Sequence, residues 1–127
     1  MDLHSRLRPR DICVCSLVGN RCGTADLHFF DRFHGLSTTV GKYARAATRL
    51  GVQYQTVKLP MISLAQLCDD HAATSIDFLK IDVEGAEADV LLGGDWRRFR
   101  PRIMVVEAVT PGSGEPSWDQ WEPFLLS

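Results

Sequence analysis

The chain has 127 residues, of which 45% are hydrophobic, and this is enough to build the core of one small domain. Its formal net charge of -2 comes from 14 basic and 16 acidic residues, so the overall charge does not favour nucleic acid or an anionic membrane as a partner. No apolar run reaches the roughly 18 residues that a membrane span requires, and residues 1–10 carry no apolar segment of signal-peptide type. We therefore expect a soluble, cytoplasmic protein with no membrane span.

Two strands are predicted near the start of the chain, after residues 1–10, which are polar and basic and are expected to be frayed. Apolar and β-branched residues favour a strand at 12–18, a glycine-containing turn ends it, and 24–30 returns as a second strand. The two strands together predict a hairpin. Cys13 and Cys15 would lie on one face of the first strand, so buried thiols are favoured over a metal site or a disulfide.

A polar loop is predicted at 31–39, because this segment contains a glycine and has no sustained hydrophobic period. Ser37 and Thr38 in this loop could place hydroxyls near a ligand, although an ordinary turn held by serine and threonine hydroxyls is the more common structure. The residues at 42–50 are rich in alanine and arginine and predict a short helix, which Gly51 ends.

The middle of the chain predicts a strand followed by a helix. Residues 52–59 alternate between two faces, which is the pattern of a strand, and Pro60 should end it. Ser63 is a suitable N-cap for the helix, and Gln66 at the third position gives a capping-box pattern. This helix should end near 69–73.

The most informative stretch comes next, where a strand, an acidic turn and a helix follow one another. Residues 76–81 form a short apolar run, which is typical of a strand buried on both faces of a parallel sheet. Asp82 stands where this strand ends, and Glu84 and Glu87 open a segment with apolar residues at helical spacing. A pair of glycines should stop that helix.

A second buried strand is predicted at 103–106, and it ends at Glu107. Because one helix joins the two strands, a right-handed crossover would bring Asp82 and Glu107 to the same edge, where α/β sheets bind ligands. Such carboxylates could accept a proton from a substrate hydroxyl, orient a substrate or hold a metal ion. The alternative is that Asp82 caps the helix while Glu84 and Glu87 complement its dipole.

Lys80 is the basic residue of the first of these strands, and it shares a face with Asp82 by the two-residue period. A buried ammonium needs a partner, so an ion pair with a nearby carboxylate is favoured over a catalytic lysine. Cysteine and histidine spacing shows no metal-binding pattern, and no metal site is predicted. The sequence also lacks the motifs of serine hydrolases, phosphate-binding loops and dinucleotide-binding turns.

The predicted elements end with a loop at 110–116 and a helix at 118–125. Together they describe a single α/β domain over 1–127, without repeats or an interdomain linker. Periodicity and spacing therefore predict an acidic ligand-binding edge, but they do not specify a reaction.

The wording of the acidic stretch resembles a known family. Residues 76–87, IDFLKIDVEGAE, followed by VLLGG, closely resemble the signature of the FkbM-type S-adenosylmethionine-dependent methyltransferases. The segment SLAQL at 63–67 resembles the family's "SLD-L" segment, with Ala65 where the family usually has an acid. The following strand at 100–108 and shorter segments between 16 and 38 also resemble the family, so the resemblance covers nearly the whole chain.

The resemblance implies a partial Rossmann-like methyltransferase sheet of mostly parallel strands with flanking helices. It implies S-adenosylmethionine as the cofactor and O-methylation of a hydroxyl on a small-molecule acceptor, which would be a sugar, a lipid or a natural product. The candidate catalytic residues are Asp82, Glu84 and Glu107, of which Asp82 would also face the cofactor. The candidate substrate-binding residues are Ser37, Thr38 and Lys80.

One part of the family pattern is absent from this sequence. The glycine-rich turn that mainly holds the cofactor in the family is not found in 1–127, which resemble the middle and later part of the domain. One alternative is therefore a truncated, inactive remnant that acts at most as an interaction module, forming oligomers through exposed sheet edges. Half of a nicotinamide-dependent oxidoreductase is a weaker alternative, because its fingerprint is absent.

Overall fold

A computed structural model describes residues 6–71 and 75–126. The strands are β1 (Leu17–Gly19), β2 (Gly23–Phe29), β3 (Gln55–Ser63), β4 (Phe78–Ile81) and β5 (Ile103–Val106). The α-helices with described bounds are α1 (Gly41–Arg49), α2 (Leu64–His71), α3 (Glu87–Leu92) and α4 (Glu122–Leu125), and short 3-10 helices lie at His34–Leu36 and Trp118–Gln120. None of the helices in these two ranges has the length and apolar character that a membrane crossing requires.

The described strands form two small sheets. The first has the order β1-β3-β2, in which β3 is parallel to β1 and antiparallel to β2. The second consists of β4 and β5, paired in parallel with Phe78 opposite Ile103. The α/β class is confirmed, but the strands form one mixed and one parallel sheet instead of a single, mostly parallel one.

The predicted hairpin at the start of the chain is wrong, because β3 lies between β1 and β2. The prediction of buried thiols is also wrong for Cys13 and Cys15, which are exposed and precede β1. The β1–β3 ladder begins with Leu17 opposite Met61, and Pro60 before it has no N–H to extend the pairing toward the cysteines. Cys68, in contrast, is buried.

Strand β3 continues through Pro60, although the proline was expected to end it. Pro60 lies opposite Thr24 of β2, and its carbonyl accepts a hydrogen bond from Ser16 Oγ at 3.1 Å. The carbonyl of Pro60 therefore points to the edge of β3 that pairs with β1, one residue before that pairing begins. The missing N–H costs the β2–β3 ladder nothing.

The helix predictions are largely confirmed. Ser63 Oγ accepts a hydrogen bond from the N–H of Gln66 at 3.1 Å, as an N-cap residue does. The side chain of Gln66 instead donates to Asp70 at 2.8 Å, so the returning half of the capping box is not formed. The predicted end of this helix lies partly at 72–74, outside the described residues.

The last predicted elements are also present, with one interruption. The loop at 110–116 is a turn closed by the N–H of Thr110, which donates to Glu115 O at 2.7 Å. The predicted helix at 118–125 is divided into a 3-10 turn and α4, and Pro123 stands in the first turn of α4. Because proline lacks an N–H and fixes φ, it favours the start of a new helix at this point.

A buried apolar cluster joins α2, α3 and β4. Its members are Leu64, Cys68, Ile81, Val90 and Leu91. The end of α3 also contacts the first turn of α2, which directly follows β3, since Gly93 O accepts a hydrogen bond from the N–H of Ala65 at 2.7 Å. Helix α3 therefore fixes the position of the acidic turn that precedes it.

Only one face of the second sheet is buried, although burial on both faces was predicted. Ile81 is 3% exposed on the inner face, whereas Phe78 and Ile103 on the outer face are 57% and 59% exposed. Lys80 lies on this outer face and is exposed as well. In the described residues no helix covers that face. The apolar run alone could not indicate this, because its residue pattern is the same whether or not a helix packs on the outer face.

Candidate functional site

The acidic turn after β4 and the end of β5 meet at one corner of the molecule. Ile81 is paired with Val106, and the N–H of Glu107 donates to Ile81 O at 2.9 Å, so Asp82 and Glu107 leave the sheet side by side. One carboxylate oxygen from each of Asp82, Glu84 and Glu107 lies within 4.8 Å of the others. We call these three residues the acidic corner. The shared edge predicted for Asp82 and Glu107 is present.

Asp82 does not cap the following helix. Helix α3 begins at Glu87, its N-cap position is Ala86, and no side chain caps it. Glu87 instead turns back into the loop, where its Oε1 accepts hydrogen bonds from the N–H groups of Val83 and Gly85, both at 3.1 Å. Glu87 is only 3% exposed, so it organises the loop from inside and leaves the Asp82 carboxylate free of a capping role.

The backbone of the acidic corner is held in an unusual conformation. Glu84 has a φ of 54°, a left-handed value that costs an ordinary residue on the order of 1–2 kcal/mol. Its carbonyl accepts a hydrogen bond from Thr38 Oγ1 at 2.8 Å, and Thr38 Oγ1 accepts one from the N–H of Val40 at 3.0 Å. The Tyr43 ring fills the space beside Gly85, so a side chain at that position would overlap the ring. Thr38 and Tyr43 thus hold the turn from outside.

Replacing Thr38 with valine should destabilise the protein by about 1–3 kcal/mol, because the change leaves a partly buried carbonyl and a partly buried N–H without their partner. Thr38 is 2% exposed, so water cannot replace the hydroxyl at the surface. Urea denaturation measures the change. Thr24→Val, at an exposed position of β2, is the matched control and should change stability by less than about 0.5 kcal/mol. Equal effects of both variants would contradict the role given to Thr38.

Burial and neighbouring negative charges raise the proton affinity of two residues of the acidic corner, Glu107 and Glu84. The pKa of Glu107 rises to about 7, mainly because the carboxyl is buried and also because Glu84, Asp82 and Glu87 are negatively charged nearby. Burial and the charges of Asp82 and Glu87 raise the pKa of Glu84 too. Glu107 is therefore partly protonated near neutral pH, and the corner carries less than its full negative charge.

Replacing Glu107 with glutamine should flatten the pH dependence of stability. The pKa of folded Glu107 lies above its ordinary value of 4.5, so the stability it contributes is complete below pH 4.5 and is lost as the pH rises through 7. Glutamine carries no charge, and the variant should be about 1–2 kcal/mol more stable than the wild type at pH 8, with little difference at pH 4.

Urea denaturation of both proteins from pH 4 to pH 8 measures this difference. Glu122→Gln, which changes an exposed carboxyl on α4, is the control and should keep the wild-type pH profile. Parallel profiles for the wild type and Glu107→Gln would contradict the assignment.

Lys80 forms the ion pair that the sequence predicts, with Asp82 as its partner. The hydrogen bond and the negative charge of Asp82 raise the pKa of the lysine. The lysine is not buried, however, because its side chain is 59% exposed on the outer face of the second sheet. An exposed pair of this kind contributes little to stability. Lys80 nevertheless places a positive charge at the edge of the acidic corner.

The other two candidate residues lie on the loop before α1. Ser37 Oγ accepts a hydrogen bond from the N–H of Phe30, seven residues earlier, at 3.3 Å. Thr38 Oγ1 accepts one from the N–H of Val40, two residues later, as in the predicted turn, and donates to the Glu84 carbonyl. Both hydroxyls are engaged by the protein, and direct contact of either with a substrate stays a prediction. Sequence reasoning missed Tyr43, since no local pattern indicates that α1 packs against Gly85.

The chemistry of the corner suits a ligand that carries hydroxyl donors or a positive charge. Glu107 Oε2 is buried, and no hydrogen-bond partner for it exists among the described residues. Asp82 is partly exposed beside it. Three carboxylate oxygens at this spacing could also hold a divalent cation.

A comparison with protein families identifies the family to which the chain belongs. The family model described as the methyltransferase FkbM domain matches residues 8–127. The chain belongs to the FkbM methyltransferase family. The resemblance predicted from the sequence is thereby confirmed, and the acidic corner lies within the matched part of the FkbM domain. Comparisons with curated proteins and with solved structures return no match.

Proposed function

We propose that this FkbM-family chain takes part in transferring a methyl group from S-adenosylmethionine to a hydroxyl oxygen of a small-molecule acceptor. The observation that carries the proposal is the acidic corner, where Asp82, Glu84 and Glu107 meet within 4.8 Å at the carboxyl end of a parallel strand pair. Ligands of α/β sheets bind at this end of the strands. Membership of a methyltransferase family supports the type of reaction.

In this proposal Asp82 orients the acceptor and takes the proton that its hydroxyl loses as the oxygen gains a methyl group. Its partial exposure makes it accessible to an acceptor. S-adenosylmethionine, when bound, would supply the electrophilic methyl group. Glu107 lines the acceptor side and, with its pKa of about 7, can hold or release a proton near neutral pH. Glu84 lies beside them within the acidic turn.

The corner fits the charge of the proposed cofactor. A sulfonium and an ammonium are cations, and ribose hydroxyls are donors, so each can pair with the carboxylates or with the unpartnered Glu107 Oε2. In this proposal the three carboxylates of the corner serve mainly the acceptor side of the site. The Rossmann-like sheet that the family resemblance implies is also part of this proposal.

Isothermal titration of the chain with S-adenosylmethionine tests the proposal. Heat that saturates at one site, and that is reduced in the Glu107→Gln variant, is the expected result. The absence of binding by a chain shown to be folded by circular dichroism would contradict it. Asp77→Asn, at the opposite end of β4, is the matched control and should bind as the wild type does.

The second candidate function is that of an interaction module. Among the described strands, β1 pairs only with β3 and β4 pairs only with β5, so each has one unpaired edge. Such edges can pair with another chain. Sedimentation measurements that show a concentration-dependent dimer, in a chain that does not bind S-adenosylmethionine, would favour this function over methyl transfer.

A further inference from the structure

A cavity of about 550 Å³ lies between α1 and the loop that follows β5. This volume is typical of sites for small organic ligands. Most of its wall is apolar, and the apolar residues are Leu36, Ala46, Ala47, Leu50, Val52 and Pro111. The cavity is separate from the carboxylates of the acidic corner, none of which lines it.

The polar part of the wall carries no net charge. Lys42 and Glu115 are its charged residues, one of each sign, and hydroxyl and amide groups supply the rest. The Lys42 ammonium lies 4.7 Å from the centre of the Tyr43 ring, so a neighbouring aromatic face already satisfies part of its charge. The wall therefore offers little opposite charge to balance a phosphate or another multiply charged ligand. An uncharged ligand fits the wall better.

Tyr43 connects this cavity to the acidic corner. One part of Tyr43 lines the cavity, and its ring packs against Gly85 in the acidic turn. A smaller space beside the cavity is bounded by Tyr43, Gly85, Ser117 and Trp121. Ser117 Oγ and Trp121 Nε1 are buried there without a hydrogen-bond partner among the described residues. These two unpaired groups line the smaller space and not the cavity itself, and they lie on the side of the cavity where Tyr43 contacts the acidic turn.

We propose that this cavity binds the apolar body of an uncharged alcohol, with the hydroxyl end toward the acidic corner. The inference rests on the proposed function, because it names the class of acceptor that the methyl transfer would use. A sugar carries hydroxyls on all sides and would leave several of them unpaired against the leucine, alanine and valine wall. The cavity thus selects a lipid-like or polycyclic alcohol over a carbohydrate.

Two probes of similar size test this selection with the full chain. We expect 1-adamantanol to shift the amide NMR signals of Ala46, Ala47 and Ser113 in a saturable way, and methyl β-glucoside at the same concentration to leave them unchanged. Equal shifts with the glucoside, or adamantanol shifts confined to residues outside the cavity, would overturn the proposal.

A variant that fills the cavity provides the second readout. Ala46→Trp places a large ring at the wall and should weaken adamantanol binding by about tenfold or more, whereas Arg45→Trp on the same helix does not line the cavity and should keep the wild-type affinity. Unchanged binding by Ala46→Trp would overturn the proposal. Binding of adamantanol without binding of S-adenosylmethionine would contradict the proposed methyl transfer and still support the cavity site. Binding of S-adenosylmethionine without binding of adamantanol would contradict the cavity site alone.

Discussion

Replacing Asp82 with asparagine should lower the rate of methyl transfer by about 10²–10⁴-fold, which is the usual contribution of a positioned proton acceptor. Asparagine keeps the size of the side chain but cannot take the acceptor's proton. The loss should appear in kcat, measured with radiolabelled S-adenosylmethionine in a protein that contains this chain and transfers methyl groups. Folding should change little, because the lost ion pair with Lys80 is exposed.

The control for this variant is Asp77→Asn. Asp77 lies just before β4, and its ion pair with Arg102 is more exposed than that of Asp82, at 81% for the carboxylate. This variant loses one carboxylate from the same segment without touching the acidic corner, so its kcat should equal that of the wild type. A wild-type kcat for Asp82→Asn would refute the proposed role of Asp82.

Replacing Gly93 with alanine should destabilise the protein by about 3 kcal/mol, at the upper end of the usual cost of overpacking. A β-carbon at Gly93 would overlap the carbonyl oxygen of Gly19, at the end of β1. The obstacle is backbone, which cannot rotate away as a side chain can. Gly93 has an ordinary φ of -81°, so the expected loss comes from this overlap and not from a strained conformation.

Urea denaturation at constant pH measures the effect of Gly93→Ala. Gly35→Ala is the matched control, since nothing lies within 4 Å of a β-carbon built at Gly35. Its stability should stay within about 0.5 kcal/mol of the wild type. Similar stabilities for the two variants would show that β1 and α3 can move apart without cost.

The parts of the fold that depend on local patterns could be predicted from the sequence. A strand, an acidic turn and a helix follow one another after residue 76, and β5 places Glu107 next to Asp82 because a single short crossover joins the two strands. Ser63 was correctly identified as an N-cap because capping depends on a hydrogen bond three residues away. These features are determined by nearby residues.

The parts that depend on distant pairing could not be predicted. The order β1-β3-β2 was missed because a turn with hairpin composition also permits the two strands to flank a third one. The hydrogen bond from Thr38 to the Glu84 carbonyl joins residues 46 positions apart, and no periodicity indicates it. The left-handed φ of Glu84 depends on that support, so the shape of the acidic corner could not be predicted although its carboxylates were.

The division into two sheets allows the chain to unfold locally in two separate parts. No backbone ladder joins the sheets in the described residues, and α2 and α3 supply the contacts between them, including the hydrogen bond from Asn20 to Asp89 at 3.0 Å. Cooperative units in proteins often coincide with such supersecondary motifs. The β4–β5 pair can then exchange its amide hydrogens through partial openings that leave β1, β2 and β3 protected. The acidic corner lies where the two units meet, because Asp82 and Glu107 follow β4 and β5, whereas Thr38, which is bridged to β2, holds the Glu84 carbonyl.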